Sequence, residues 1–192
     1  RTSLKGLTPE RAMETVFSGN PWTTSFTEDS FGNIWIGTYR NGTFCFHKNQ
    51  TPFQKSMSGK NIECMSTDHS GNYWIGSLNG EGCVLDSTQK QIMGKTIFPN
   101  DMIHTICGQE SSNKVWVGTM YGLYEAWIES NKQIVYQKTS GINIPSIRSI
   151  VQDSCFLWIA SYNNGVTLYN YSTQQSVVTY KTDSEVLPLP SN

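Results

Sequence analysis

The chain consists of short runs of β-forming residues separated by glycine, asparagine, aspartate and serine. A helix would need apolar residues about 3.6 positions apart over about ten residues or more, and the sequence contains no such stretch. Short runs between turn-forming residues are typical of strands joined by tight turns. The pattern therefore predicts an all-β fold.

The runs belong to a repeat with one central tryptophan. The repeat centres are residues 28–38, 67–77, 109–119 and, in a more divergent form, 152–161. Their tryptophans, Trp35, Trp74, Trp116 and Trp158, are 39, 42 and 42 residues apart. This period is typical of β-propeller blades, which are four-stranded antiparallel meanders of about 40 residues.

Each unit contains four predicted strands, of which the second is centred on the tryptophan. The first strands are predicted at residues 22–27, 62–66, 103–107 and 147–151. The third strands are predicted at residues 43–46, 83–85, 123–128 and 166–171, each entered through a glycine: Gly42, Gly82, Gly122 and Gly165. The fourth strands are predicted at residues 53–57, 91–98, 133–138 and 176–181.

These strands divide the chain into blades at residues 21–59, 60–100, 101–144 and 145–186. Residues 1–20 resemble the outer strand of a preceding blade, because residues 11–17 are similar to residues 91–98. Residues 187–192 occupy the place of a linker to a next blade. We therefore expect the chain to be part of a larger propeller, completed by further blades of the same or another chain.

The repeat residues have architectural roles. Asp29, Asp68 and Asp153 are expected in the turns between first and second strands, where aspartate caps amides and the nearby glycines accept positive φ. The four tryptophans are expected to fill the wedges between blades. The glycines two positions after them are expected to allow close approach of backbone; they are Gly37, Gly76 and Gly118.

The charge and composition of the chain limit the kinds of partner that it is expected to bind. Lys and Arg total 14 against 15 Asp and Glu, a formal net charge of -1, so nucleic acid is not an expected partner. The longest apolar stretches are far shorter than the roughly 20 residues of a membrane span, so we expect no membrane contact by this segment. The five cysteines form no CxxC pair and are expected to be small apolar side chains within strands.

In an antiparallel meander, the loops between second and third strands share a face with the linkers between blades. The candidate ligand-binding residues on this face are Tyr39, Arg40, Asn41, Asn79, Glu81, Tyr121, Tyr162, Asn163 and Asn164. Aromatic rings beside amides and a guanidinium suit sugar recognition, since rings stack on apolar sugar faces and polar groups bond hydroxyls. The same residues are also common in ordinary turns, and an alternative use of the face is contact with a second subunit in a homodimer.

Catalytic chemistry has little support in the sequence. A glycosidase or lyase needs carboxylates, or a histidine and a tyrosine, that converge on one site. The recurrent aspartates are expected in separate blades on the opposite face, and His47, His69 and His104 occupy unrelated repeat positions. We therefore predict no catalytic residue, no metal site and no cofactor, and the segment is not expected to be an enzyme.

The pattern Asp-x-x-Gly-Asn-x-Trp-Ile-Gly-Thr/Ser at residues 29–38 and 68–77 resembles the two-component regulator propeller repeat. The resemblance extends over essentially the whole chain and is strongest at residues 23–46 and 61–85. It implies the periplasmic sensor region of a membrane-anchored hybrid histidine kinase of Bacteroidetes, which detects oligosaccharides from complex polysaccharides. Asn113, in place of a turn glycine, and Cys155 and Ala160 depart from the pattern.

Two other functions remain open at this point. One is a propeller enzyme that degrades polysaccharide, and the other is a propeller scaffold for protein–protein interaction. A sensor and a scaffold are distinguished by oligosaccharide binding, because a specific ligand stabilises the folded state by mass action.

Overall fold

The computed structural model describes residues 22–29, 32–46, 54–56, 59–86, 92–98 and 101–181. Regular structure in these residues is entirely β: sixteen strands form four four-stranded sheets with antiparallel pairing of consecutive strands. Within this part of the chain, no helix is long and apolar enough to cross a membrane. The residues predicted as the outer strand of a preceding blade (1–20) and as a linker (187–192) lie outside the described residues.

Each sheet is one meander, and we name the sheets blades 1 to 4 in chain order. Blade 1 contains β1 (Thr23–Glu28), β2 (Ile34–Thr38), β3 (Gly42–Phe46) and β4 (Gln54–Ser56). Blade 2 contains β5 (Ile62–Thr67), β6 (Tyr73–Ser77), β7 (Glu81–Leu85) and β8 (Ile92–Ile97). Blade 3 contains β9 (Ile103–Gly108), β10 (Lys114–Thr119), β11 (Leu123–Ile128) and β12 (Ile134–Lys138). Blade 4 contains β13 (Ile147–Asp153), β14 (Phe156–Ser161), β15 (Gly165–Asn170) and β16 (Gln175–Tyr180).

The first strands of successive blades lie side by side. Strand β5 contacts β1 and β9, and β9 also contacts β13, whereas contacts between fourth strands are sparse. The sheets are therefore arranged around an axis, with the first strand of each blade innermost. This is the arrangement of propeller blades.

Apolar side chains fill the spaces between blades. Trp35 is buried in a cluster with Ile62 and Ile75 of blade 2. In the same way, Trp74 clusters with residues of blade 3 and Trp116 with residues of blade 4. These three side chains occupy the wedge positions expected from the sequence, and their burial contributes to holding the blades together.

Trp158 has a different environment from the other three tryptophans. Its side chain is 37% exposed and stacks on Tyr180 of the same blade, with ring centroids 6.2 Å apart. The described residues contain no blade after blade 4, so nothing in them covers this ring. A wedge role for Trp158 stays a prediction.

The repeat glycines make room for side chains of the next blade. A Cβ at Gly76 would lie 2.5 Å from Ile103 Cγ2 and 2.8 Å from Cys64 Sγ, which is closer than van der Waals contact allows. The corresponding pairs are Gly37 with Ile62 and Gly118 with Ile147. The expected close neighbour was backbone, but it is the isoleucine that begins the next first strand.

The turns between first and second strands follow the prediction in blades 1 and 2. Asp68 accepts bonds from the Asn72 backbone N–H and side-chain amide at 3.0 Å, and Gly71 has a φ of 78°. Asp29 accepts the same two bonds from Asn33, both at 2.8 Å. These aspartates therefore cap the turn amides.

Blade 4 differs, because Asp153 pairs with Phe156 across a two-residue turn in which Ser154 has a φ of 54°. The Asp153 carboxylate accepts from Ser154 Oγ at 3.4 Å rather than from the amides of this turn, so the predicted capping role of Asp153 is wrong.

One predicted glycine position is also wrong. Gly42, Gly122 and Gly165 have positive φ where the chain enters a third strand, but Gly82 is an interior residue of β7 paired with Thr96. In blade 2 the positive φ, 78°, belongs to Gly80. The reason is register: Ser77 ends β6 and Glu81 begins β7, so the turn glycine lies two residues before the predicted position.

Candidate ligand-binding face

One face of the four blades is formed by the loops between second and third strands and by the residues that precede each first strand. We call this surface the linker face. Its loops are residues 39–41, 78–80, 120–122 and 162–164, and its entry residues are Trp22, Asn61, Met102 and Ser146. In every blade, a loop N–H donates to the carbonyl of the entry residue; in blade 1 the Tyr39 N–H donates to the Trp22 carbonyl at 2.9 Å.

Hydrogen bonds also join the linker face from blade to blade. The Gly42 N–H donates to the Lys60 carbonyl at 3.2 Å, and the Ser146 N–H donates to the Met120 carbonyl at 2.7 Å. Between blades 2 and 3, the Asp101 N–H donates to the Phe98 carbonyl at 3.2 Å. The loops therefore form a continuous surface, and all nine predicted ligand-binding residues lie on it or, in the case of Glu81, at its edge.

The blade 1 loop combines an aromatic ring with a cation. The Arg40 guanidinium lies 5.1 Å from the centre of the Tyr39 ring, and Tyr39 lies beside Trp22 with ring centroids 6.2 Å apart. Arg40 is exposed and has a φ of 74°, a backbone conformation that disfavours most residues with a Cβ. Asn41 is half-buried beside it. Trp22 is a further aromatic side chain of this surface that the sequence did not single out.

The blade 2 loop carries an exposed Asn79, whose side-chain oxygen accepts from Ser77 Oγ. Glu81 is the first residue of β7, and its carboxylate pairs with Lys60 Nζ at 2.7 Å. The ion pair thus engages the Glu81 carboxylate, and the bond from Ser77 engages the Asn79 side-chain oxygen.

Blades 3 and 4 present exposed tyrosines. Tyr121 is 58% exposed and lies two residues after the end of β10. Tyr162 is 63% exposed and directly follows the end of β14. Asn163 is exposed with a φ of 68°, while Asn164 is half-buried. Two accessible rings in neighbouring blades offer flat apolar surface beside polar groups. The ligand-binding role of the nine residues stays a prediction.

A second group of residues on this end of the blades was missed by the sequence reasoning. Each first strand contains a β-bulge just after its first residue, where the pairing register shifts by one. The bulged residues are Thr24, Glu63, His104 and Arg148. We call these four residues the bulge ring. A polar residue directly after the first isoleucine of blades 2, 3 and 4 was the available signal, and bulges commonly redirect side chains near functional sites.

The bulge ring contains a hydrogen bond between blades. Arg148 Nη1 lies 3.2 Å from His104 Nδ1, and the Arg148 guanidinium lies 5.7 Å from the centre of the Tyr162 ring. A guanidinium only donates, so Nδ1 is the acceptor and neutral His104 carries its proton on Nε2. Burial, together with the Arg148 charge, lowers the pKa of His104, and Asp101 acts in the opposite direction. The neutral form is thus favoured.

Two buried polar atoms beside this bond have no hydrogen-bond partner among the described residues: His104 Nε2 and Asp101 Oδ2. His104 is 7% exposed and Asp101 is 5% exposed. In blade 2, burial raises the pKa of Glu63 and the Arg148 charge partly offsets that shift. Unpaired buried polar groups cost stability, so their retention marks this end of the axis as a functional candidate.

The recurrent aspartates are engaged on the opposite face. Burial alone would raise the pKa of Asp29, but hydrogen bonds from Tyr73, Asn33 and Trp35 outweigh burial and hold the pKa below its usual range. Asp68 likewise accepts a bond from Trp74 Nε1 at 3.0 Å. In the part of the chain that the structure describes, no group of His, Cys, Asp and Glu side chains is arranged to hold a metal ion.

Sheets of this order around a common axis define a segment of an antiparallel β-propeller. Residues 17–40 match the family model described as two component regulator propeller. The match confirms the resemblance predicted from the sequence for the segment that it covers, which includes the blade 1 loop as far as Arg40. No curated protein matches the chain.

Solved structures share the fold. The extracellular domain of a hybrid two component system from B. thetaiotaomicron has a TM-score of 0.65 and 23% identity, covering 85% of this chain and 23% of that chain. The extracellular domain of a one component system from the same organism has a TM-score of 0.63 and 20% identity, covering 89% and 23%. The β-propeller domain of Swd1 from Myceliophteria thermophila has a TM-score of 0.63 and 10% identity, covering 82% and 56%. These likenesses confirm the predicted β-propeller fold, and the chain spans about a quarter of each B. thetaiotaomicron domain.

Proposed function

We propose that the chain is a ligand-sensing propeller segment in the extracytoplasmic, periplasmic part of a two-component sensor histidine kinase, and that its linker face binds an oligosaccharide. The observation that carries the proposal is the coincidence of two features. The family match at residues 17–40 includes Tyr39 and Arg40 of the first linker-face loop, and that face also carries the exposed rings Tyr121 and Tyr162. Stacking rings next to amides and a guanidinium are suited to sugar units.

Binding to such a face is testable with the chain itself. Purified protein is screened by thermal shift and then by calorimetry against oligosaccharide digests of plant and host polysaccharides. A specific ligand is expected to raise the unfolding temperature by mass action. Replacing both Tyr121 and Tyr162 with alanine should weaken binding, whereas Asn131→Ala in the turn between β11 and β12, on the opposite face, should not. If no saccharide in the panel raises the unfolding temperature, the proposal fails.

A segment of this kind needs no catalytic group, and we propose that it is not an enzyme. The buried carboxylates of Asp29 and Asp68 are held by several donors each, as capping groups are, and they lie in different blades. Turnover of an oligosaccharide that disappears on substitution of one carboxylate would instead favour a polysaccharide-degrading propeller.

We also propose that further propeller blades, of the same or another chain, cover the outward faces of blades 1 and 4. Phe26 on β1 is 83% exposed and Val151 on β13 is 57% exposed. Contiguous exposed apolar surface usually marks a site that another protein surface covers. At the interfaces between successive blades, from blade 1 to blade 4, apolar side chains are packed against the neighbouring blade. A homodimer formed through the linker face would leave Phe26 and Val151 exposed, so the association behaviour of the chain distinguishes the two arrangements.

A further inference from the structure

The inner end of the linker face carries charged and ionisable side chains on three adjacent blades. Glu63 on β5, His104 on β9 and Arg148 on β13 occupy the same bulge position of three successive blades. Strand β9 contacts both β5 and β13, so the three residues lie on adjacent inner strands. Arg148 is exposed and Glu63 is half-buried, which leaves both accessible to a ligand.

The Arg148 side chain is fixed rather than free. His104 Nδ1 accepts one of its N–H groups at 3.2 Å, and the Tyr162 ring supports the guanidinium from 5.7 Å. A guanidinium has five N–H donors, so several remain available after the bond to His104. The fixed geometry reduces the entropy lost when a ligand binds. His104 is therefore a positioning residue for Arg148.

The charge around this position is balanced or slightly negative. Accessible Arg148 is opposed by Glu63, and the buried carboxylate of Asp101 lies close enough to act on His104. Since His104 is held neutral by its bond to a donor, no second positive charge is added. An anionic sugar would meet repulsion from the carboxylates, whereas hydroxyl groups can accept from a guanidinium and donate to a carboxylate.

We infer that Glu63 and Arg148 form a hydrogen-bonding anchor for vicinal hydroxyls of an uncharged sugar, and that this anchor selects neutral over acidic oligosaccharides. The inference rests on the proposed function, because it names the ligand class and the specificity residues of the same face. Arg148 donates to one hydroxyl oxygen and Glu63 accepts from its neighbour, while the exposed rings of the linker face pack against the sugar.

Calorimetry with two matched probe sets tests the inference: neutral oligosaccharides from xylan, mannan, galactan and arabinan, and acidic ones from polygalacturonate and chondroitin sulfate. The wild-type chain is expected to prefer a neutral member. Glu63→Gln and Arg148→Lys should each weaken that binding about tenfold or more, because bonds to charged groups are lost or distorted. Glu129→Gln, in the exposed turn between β11 and β12, is the matched control and should bind as wild type does.

The outcomes separate the two proposals. If no saccharide binds, the proposed function fails. If a saccharide binds but the Glu63 and Arg148 variants retain full affinity, or if acidic members are preferred, the linker face still binds sugar and the anchor is overturned. The protonation state of His104 can also be measured without ligand, by nitrogen-15 NMR of its imidazole ring. A neutral ring with the proton on Nε2 at neutral pH supports the anchor geometry. A charged ring, or a proton on Nδ1, contradicts it.

Discussion

The indole N–H groups of Trp35 and Trp74 donate to the aspartates six residues earlier, at 3.3 and 3.0 Å. One aspartate thus serves the turn amides and the wedge tryptophan together, which explains why both residue types recur in the repeat. In blade 3, Gln109 directly follows the first strand, as Asp29 and Asp68 follow theirs. Trp116 Nε1 has no partner among the described residues. A tryptophan can therefore pack between two blades without the hydrogen bond to its indole N–H, as Trp116 does.

Removing this carboxylate should destabilise the fold. Asp68→Ala leaves Trp74 Nε1 and the Asn72 amide groups without their acceptor in a buried environment. The expected loss is about 1–3 kcal/mol in the free energy of unfolding, measured by urea denaturation. Asp153→Ala is the matched control, because Asp153 caps no amide, and its effect should be much smaller. Equal losses in both variants would refute the role assigned to the blade 2 turn.

Adding a methyl group at a repeat glycine should disturb the contact between blades. Gly76→Ala places a Cβ against Ile103 and Cys64 in a packed interface, and overpacking of this kind costs about 1–3 kcal/mol. Blade 4 carries Ala160 at the equivalent position, so Ala160→Gly should change stability by no more than about 1 kcal/mol, through backbone entropy. Thermal and urea unfolding measure both. A Gly76→Ala protein as stable as wild type would contradict the packing described.

At the level of elements, the short loops were predictable and the bulges were not. Asp, Gly and Asn signal turns locally, so the meander could be predicted from sequence. Because successive loops of an antiparallel meander lie on alternate faces, the loops that carry the tyrosines could also be assigned to one face. A bulge depends on the pairing register between two strands, which no single segment specifies. The bond between His104 and Arg148 joins residues 44 positions apart in adjacent blades, and for that reason the bulge ring was missed. Gly82 was misplaced for the same reason, since register decides which of two nearby glycines enters the strand.

The blade 1 loop holds Arg40 in a left-handed conformation that asparagine adopts more readily, as Asn163 does at the equivalent position of blade 4. Arg40→Asn is expected to increase stability by up to about 1 kcal/mol and to weaken oligosaccharide binding. Lys132, with a φ of 64° in a turn on the opposite face, supplies the control: Lys132→Asn should stabilise similarly and leave binding unchanged. Unfolding and calorimetry check both effects. Unchanged affinity in Arg40→Asn would remove Arg40 from the ligand site.

His104 on the inner strand of blade 3 should make the stability of the fold sensitive to acid. Burial and Arg148 lower the pKa of His104 in the folded state, so the unfolded chain binds more protons as the pH falls below about 6.5. The contribution of neutral His104 to the free energy of unfolding is therefore fully present above that pH and is lost as the pH falls towards the lowered pKa. Asp101 makes this contribution smaller, because its charge acts against the shift. His104→Asn keeps an acceptor for Arg148 and should flatten this part of the stability profile. Exposed His69→Asn is the control, and an unchanged profile in the His104 variant would contradict the account.

At the scale of the whole molecule, the four blades form an arc with two exposed apolar faces. The purified chain is therefore expected to self-associate with increasing concentration, which analytical ultracentrifugation measures. Phe26→Ser combined with Val151→Ser should reduce the association and change the unfolding temperature by only a few degrees, because both side chains are already largely in water. Association that is unaffected by these substitutions would place the contact elsewhere.

Ligand contact is expected to be confined to the linker face and the bulge ring. Hydrogen exchange, measured by mass spectrometry with and without a binding oligosaccharide, locates the contact. We expect slower exchange in the loops at residues 39–41, 78–80, 120–122 and 162–164 and at the start of β5, β9 and β13, with no change in the turns that contain Asp68 and Lys132. Protection confined to those turns on the opposite face would contradict it.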